Sequence, residues 1–417
     1  MKILPRFTFG MGDRFGLEGR AQLSAVASLC SQGPEVCPVW NKSNREHLIV
    51  GSEPESVRTE AEEAVKALGW KSAYFVDADH IGLATVDRFL EASDFFTLDV
   101  ADFIGKCAPG DKVQDFCHRH AQLASSHELP GLQEPLVISS DVLEAATRKF
   151  LLGMQQAGAI YRHIRSKKPG DFAIEVSVDE TDAAQSPAEL FLILAMLADE
   201  GVPAQTIAPK FTGRFNKGVD YEGDLEAFAR EFETGLAIVA HAPRAFGLPE
   251  GLKLSVHSGS DKFSIYPIIR RLVEKHQAGL HLKTAGTTWL EEVGGLAEAG
   301  GSGLAMAREV YAGALEHADE LIAPYATVVD IDRSALPLAE EVGRWSSEQF
   351  TAALDHNLAC PDYNPHLRQL LHVGFKIAAK IGQRFTDALL ENRDVIETRV
   401  RANLLERHLK PLFLGSA

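Results

Sequence analysis

Cysteine is scarce: the 417 residues hold five (Cys30, Cys37, Cys107, Cys117 and Cys360), with no CxxC pair and an odd total. That pattern excludes a disulfide framework and a cysteine-built zinc site. Basic residues are outnumbered, 42 Lys plus Arg against 58 Asp plus Glu, which leaves a net charge of −16. A surface of that sign repels phosphate backbones, so no nucleic-acid partner is expected. Long apolar runs are missing too. The longest, Leu190 to Ala198, falls well short of the roughly 20 residues that cross a bilayer, so no membrane association is expected. The opening residues MKILPRFTFGMGDR lack the apolar core of a secretory signal. There is no GxGxxG or Walker phosphate loop, and therefore no nucleotide signal. What remains is 45% hydrophobic and 24% charged, the composition of an ordinary globular chain. The expectation is a reduced, soluble, cytoplasmic protein. Its oligomeric state is not written in the sequence, and a homo-oligomer stays open.

What the chain does have is a recurring unit, a short apolar strand that ends in polar residues and is followed by a helical stretch. Eight segments fit: 6–14, 37–43, 72–80, 95–102, 172–180, 204–211, 252–260 and 279–286. Between them, Ser186-Pro187-Ala188-Glu189 carries a capping serine, a first-turn proline and a glutamate at the third position. That helix should stop at Gly201. Asp224 and Pro267 open two more. Strands alternating with helices predict a parallel sheet, and eight units predict an α/β fold of the (β/α)8 barrel type. The barrel should occupy residues 1–330, with a helical insertion near 101–170. Residues 331–417 read as a C-terminal helical extension. The Gly-rich run from Gly294 to Gly303 reads as a loop between helices.

Parity sharpens this picture. In the fifth strand Ile174, Val176 and Val178 share one face, while Glu175, Ser177 and Asp179 share the other. In the seventh, Leu252, Leu254 and Val256 oppose Lys253, Ser255 and His257; in the eighth, Leu280 and Leu282 oppose His281 and Lys283. Apolar faces suit the outer helices, which puts charged groups inside the barrel, where unpaired burial is costly. The polar strand ends converge at the face where barrel enzymes carry their active sites. His, Asp, Glu and Lys gathered there could bind a divalent metal and move protons. Cys117-His118-Arg119-His120 reads instead as a solvated face, and His356, His366 and His372 lie in the helical tail.

GDRFG (12–16), DADHI (77–81), EVSVDET (175–181), KGVDYEGD (217–224), HSGSDKFSIYP (257–267), HLKTAGTTWLE (281–291) and LLHVGF (370–375) together resemble the tagaturonate epimerase family, and the resemblance covers most of the chain. It implies interconversion of tagaturonate and fructuronate, C4 epimers of hexuronate breakdown, with a divalent metal. By the same resemblance Asp79 is the proton acceptor, Glu175 the proton donor, and His80, His257 and His281 the metal ligands. Imidazole ligands suit Zn, Mn or Ni. Ser43, Lys283, Lys262 and Arg14 are candidate contacts for the sugar-acid substrate. Lys283 has a second reading, neutralising the inward carboxylates.

The carbon that inverts is not adjacent to the ketone, so its C–H is scarcely acidic. Its hydroxyl is β to the ketone, which makes retro-aldol cleavage and re-addition the expected route. Glu175 must then be protonated, and burial should raise its pKa. His80 follows the third strand, almost across the barrel from His257 and His281. The three can share an ion only if residues 77–81 fold over the mouth; Asp99, Asp179 or Glu175 could otherwise serve. A metal-dependent aldolase, or an epimerase of a related ketose or sugar acid, would use the same residues.

Overall fold

The computed structural model describes residues 2–179, 181, 183–284 and 286–414. All eight predicted strands form: β1 (Phe7–Gly12), β2 (Cys37–Ser43), β3 (Phe75–Ile81), β4 (Phe95–Asp99), β5 (Ala173–Ser177), β6 (Thr206–Ala208), β7 (Lys253–His257) and β8 (Leu280–Lys283). Every neighbouring pair is parallel, and β1 closes onto β8 through Phe7–Leu280 to Gly10–Lys283. The chain is therefore a closed eight-stranded barrel in sequence order.

The outward faces, among them Phe9, Val76, Leu98, Ile174, Val176, Leu254 and Leu282, join one continuous core with the surrounding helices. Inside, only the lower end is apolar: Leu4, Cys37, Val39, Phe75, Phe95 and Ala173 form a separate plug. Above the plug the inward positions are Thr8, Asn41, Asp77, Thr97, Glu175, Thr206, Ser255, His281 and Lys283, all buried. A barrel built for stability alone would stack branched aliphatic residues in those layers.

The helical punctuation matches the sequence in most places. Ser186 and Glu189 form the full capping box of the helix Pro187–Asp199. Asp224 caps Leu225–Phe246 through two backbone N–H groups. Gly201 takes the left-handed conformation that ends the former helix. The insertion between β4 and β5 holds the helices Gly110–Arg119 and Ser140–Lys167 and a small hairpin, Ser126–His127 against Leu136–Val137. Between β3 and β4 lies only a 3-10 turn, Val86–Phe89.

The Gly-rich run differs from expectation. The helix Thr287–Ala299 continues through Gly294 and Gly295, and Gly300 alone separates it from Gly301–Glu316. The reason is tertiary packing. A Cβ on Gly294 would lie 2.7 Å from Arg399 Nη2, and one on Gly295 would lie 2.6 Å from Ile396 Cγ1. The two glycines let the helix Arg393–Ala402 approach closely, a gain that outweighs their weak helix propensity.

The helices after Ala299 include Gly301–Glu316 and Ala318–Ile322, ahead of the expected boundary at 331. They are tied to the barrel at Asp261, just beyond β7. Its fully buried carboxylate accepts from Arg368 Nη2 at 2.6 Å and meets His356 Nδ1 at 3.1 Å, His408 Nε2 at 3.2 Å and Thr287 Oγ1 at 3.4 Å. Tyr266 Oη holds the other ring nitrogen of His408 at 2.7 Å. His408 lies in a stretch of π-helix, Asn403–Leu409, a rare geometry.

Candidate active site

Lys283 is the centre of the upper barrel. From β8 its ammonium lies 2.8 Å from Asp77 Oδ2, 2.9 Å from Asp79 Oδ1 and 2.9 Å from Glu175 Oε1, and it donates to Thr97 Oγ1 at 2.6 Å. Burial opposes its charge, yet the three carboxylates hold its pKa well above the usual lysine range. Of its two readings, the structure displays carboxylate neutralisation. Asp77, at the same parity as Asp79, is pushed up to about 7 by burial in spite of Lys283. Asp79 is also desolvated, but Lys283 and His80 hold it below the usual carboxylate range.

Glu175 corrects an expectation. It is fully buried, and burial does raise its pKa, but Lys283 and His257 outweigh that and leave it well below the usual range. The resting side chain is an anion. It accepts from Thr206 Oγ1 at 2.7 Å and lies 2.8 Å from His257 Nε2.

His80 reaches the site through an irregularity. Strict alternation would turn it outward from a strand that points Asp77 and Asp79 inward. The β3–β4 register shifts between Ala78 and Ile81, and His80 adopts φ +50. Histidine tolerates that left-handed region better than most residues, and such strain concentrates at functional positions. The ring ends 5.2 Å from that of His257. The 77–81 segment thus brings the third strand's histidine to the seventh.

The three histidines share one pattern. Each is anchored through Nδ1: His80 to Asp99 Oδ2 at 3.3 Å, His257 to Asp179 Oδ2 at 3.1 Å, and His281 to Thr8 Oγ1 at 2.8 Å. Each presents Nε2 to Asp79 or Glu175: His80 lies 3.9 Å from Asp79, His257 2.8 Å from Glu175, and His281 4.0 Å from Glu175. Nε2 of His281 is buried with no hydrogen-bond partner among the described residues. An imidazole oriented through one nitrogen with the other free is how metal-binding histidines are supported. Burial lowers His281 to about 3, so it is neutral, as a ligand must be. His80 and His257 are desolvated as well, yet the surrounding aspartates and Glu175 raise them to about 10 and about 9. A site that draws protons onto two histidines is one that favours cations. Among the described residues, His80, Asp179 and His257 offer ligand atoms that all lie within 4.8 Å of one another; His281, level with Ser255 and one layer deeper, falls outside that group.

The expected substrate contacts are dispersed. Ser43 caps the helix Asn44–Val50 in a capping box with Glu46. Lys262 is fully buried and donates to the carbonyls of Asn216 at 2.9 Å and Val219 at 2.7 Å, holding the 216–219 loop. Arg14 pairs with Glu46 at 3.2 Å and lies over the Phe375 ring, while its Nη1 has no hydrogen-bond partner among the described residues. Asp77, Thr97 and Asn41 were available to the parity argument, since each stands at an inward strand position; only the assembled site reveals that they converge. His118 is exposed and His356 belongs to the Asp261 cluster. His372 is buried against Gly286, where a Cβ would come within 2.0 Å of its ring. None of the described helices is long and apolar enough to cross a membrane.

Comparison with known proteins agrees with this architecture over nearly the whole chain. The sequence profile of the tagaturonate epimerase family matches residues 3–412. A tagaturonate/fructuronate epimerase of Thermotoga maritima is 28% identical over 97% of this chain and 80% of its own length. Two crystal structures of fructuronate-tagaturonate epimerase from Cohnella laeviribosi, one glycerol-bound and one native, superpose with TM-scores of 0.81 and 0.80. Both are 26% identical and cover 97% of this chain and 81% of theirs.

Proposed function

The chain belongs to the tagaturonate epimerase family, and on that premise we propose that it interconverts D-tagaturonate and D-fructuronate by retro-aldol cleavage and re-addition, with a divalent metal held by His80, His257 and His281. The observation that carries the reading is the common aim of the three Nε2 atoms at Asp79 and Glu175, each imidazole being fixed through Nδ1. A divalent metal there supplies Lewis acidity toward the ketone end of the substrate.

Asp79 takes the proton of the C4 hydroxyl as the C3–C4 bond breaks. The aldehyde fragment turns, the bond re-forms on its other face, and Glu175 returns a proton to the C4 oxygen. Because Glu175 rests as an anion, that proton has to be delivered to it. Lys283, 2.9 Å from Asp79 Oδ1 and 2.9 Å from Glu175 Oε1, holds the two carboxylates side by side. Asp179 and Asp99 orient His257 and His80.

The test is incubation of the purified protein with tagaturonate in heavy water, with Mn, Zn, Ni or Mg added after chelation. Fructuronate formed without deuterium at C4 is expected, together with loss of activity on chelation. Deuterium at C4 at the rate of epimerisation would reject the retro-aldol route, and accumulating three-carbon products would mark an aldolase. Metal content settles the ligand set: His281→Ala should bind less metal, whereas loss in Asp179→Ala but not in His281→Ala would replace His281 by Asp179.

A further inference from the structure

Buried polar groups in folded proteins find partners, and an amide with neither end satisfied is rare enough to demand an explanation. Asn41 is such a group. It occupies an inward position of β2, in register with Gly12 of β1 and Asp77 of β3, and is 2% exposed. Among the described residues neither its Nδ2 nor its Oδ1 has a hydrogen-bond partner. The neighbouring polar groups are committed elsewhere: Asp77, Asp79 and Glu175 to Lys283, and Thr97 to Asp77 and Lys283.

Gly10 explains how the amide reaches this place. It stands between Asn41 and Lys283 on the inner wall of β1, and a Cβ there would lie 2.8 Å from Asn41 Nδ2 and 2.8 Å from Lys283 Cγ. Without a side chain at position 10, the amide and the lysine stem converge beside the carboxylates. The position is paid for by leaving a donor and an acceptor open. A neutral amide complements hydroxyl and carbonyl groups, each of which can pair with a donor or an acceptor, better than it complements a carboxylate.

We propose that Asn41 is a substrate-binding residue that grips a hydroxyl or carbonyl of the sugar chain beside the Asp79–Lys283–Glu175 cluster, with Gly10 making room for it. The assignment rests on the epimerase reading of this site but adds a residue to it.

The test compares metal-loaded wild type with Asn41→Leu and, as a smaller change, Asn41→Thr. Removing an unpartnered amide should leave the melting temperature equal or higher. Loss of the substrate contact should raise KM for tagaturonate roughly 10- to 100-fold. An amide that only supports the fold gives the reverse: a lower melting temperature in both variants and an unchanged KM, which would overturn the assignment. Unchanged values of both would overturn it as well, leaving water as the partner. Tagaturonate-induced thermal upshift separates this inference from the proposed function. An upshift in wild type that Asn41→Leu lacks supports the contact even if no fructuronate forms. An upshift shared by both proteins removes Asn41 while leaving the epimerase reading intact. No upshift and no turnover in wild type would reject both.

Discussion

Two buried clusters in this molecule are made from the same residue types and behave oppositely. At Asp261 a carboxylate meets Arg368, His356, His408 and Thr287, so its oxygens are fully engaged. At the barrel mouth Lys283 is equally engaged, but the surrounding groups are not: among the described residues both ends of Asn41, Nε2 of His281 and Oγ of Ser255 lack partners. One cluster is closed and fastens the C-terminal helices to the barrel. The other is left open where a ligand can complete it. Residue type does not separate the two clusters; the partners of Asp261 on one side and of Asn41 and His281 on the other do.

The comparison can be broken first at the open cluster. Asp79→Asn and Glu175→Gln should each lower the epimerisation rate roughly 100- to 10,000-fold, the effect of removing a proton-transfer group, the role proposed for each. Metal content, measured by elemental analysis, should stay at the wild-type level in both. If Glu175→Gln loses the metal, the glutamate is a ligand and the donor lies elsewhere.

The closed cluster should fail in the other currency, stability. Arg368→Met leaves the Asp261 anion buried without its guanidinium, at a cost of about 3–5 kcal/mol by urea denaturation. The fraction that stays folded should turn over tagaturonate within a few-fold of wild type. A kcat collapse without destabilisation would show that the two clusters are not separate.

A titration sharpens the difference further. In metal-free protein His80 and His257 are raised from the ordinary value of 6.5 to about 10 and about 9. A group raised on folding contributes stability that is complete below its unfolded pKa and is lost as pH rises through the folded value. The metal-free protein should therefore lose melting temperature between about pH 6.5 and pH 10. Bound metal requires neutral imidazoles and replaces those protons, so the holoprotein should lose less over that range, and metal binding should release protons wherever those imidazoles are protonated in the metal-free protein. Identical melting curves for the two forms would contradict the ligand assignment.

The smallest effect belongs to the surface. His118→Ala, in a run that looks like a metal cluster on paper, should change stability by less than about 0.5 kcal/mol and leave metal content untouched. A measurable loss of metal would make that segment a second site.

Much of the fold is local and was therefore legible. Apolar–polar alternation marks the fifth, seventh and eighth strands, and the parity of Glu175, His257 and Lys283 foretold a charged interior, because a strand's side chains alternate whatever surrounds it. Ser186 and Asp224 announced their helices through caps that act within three residues. Gly294 and Gly295 misled for the converse reason: a glycine pair signals a loop by propensity and becomes a helix only when Arg399 and Ile396 arrive from a hundred residues away.

The sequence by itself determined the barrel, the inward residues and, through family resemblance, the chemistry to look for. Only the tertiary structure decided how those residues act. The turn of His80 toward His257 depends on a register shift between two strands. The ionisation of Glu175 depends on Lys283 and His257, neither of them near it in the chain. Lys283 itself meets Asp79 across 204 residues of sequence. Direction along a regular strand is set by the backbone next door, but a charge inside a barrel answers to everything facing it, and that company is assembled only when the barrel closes.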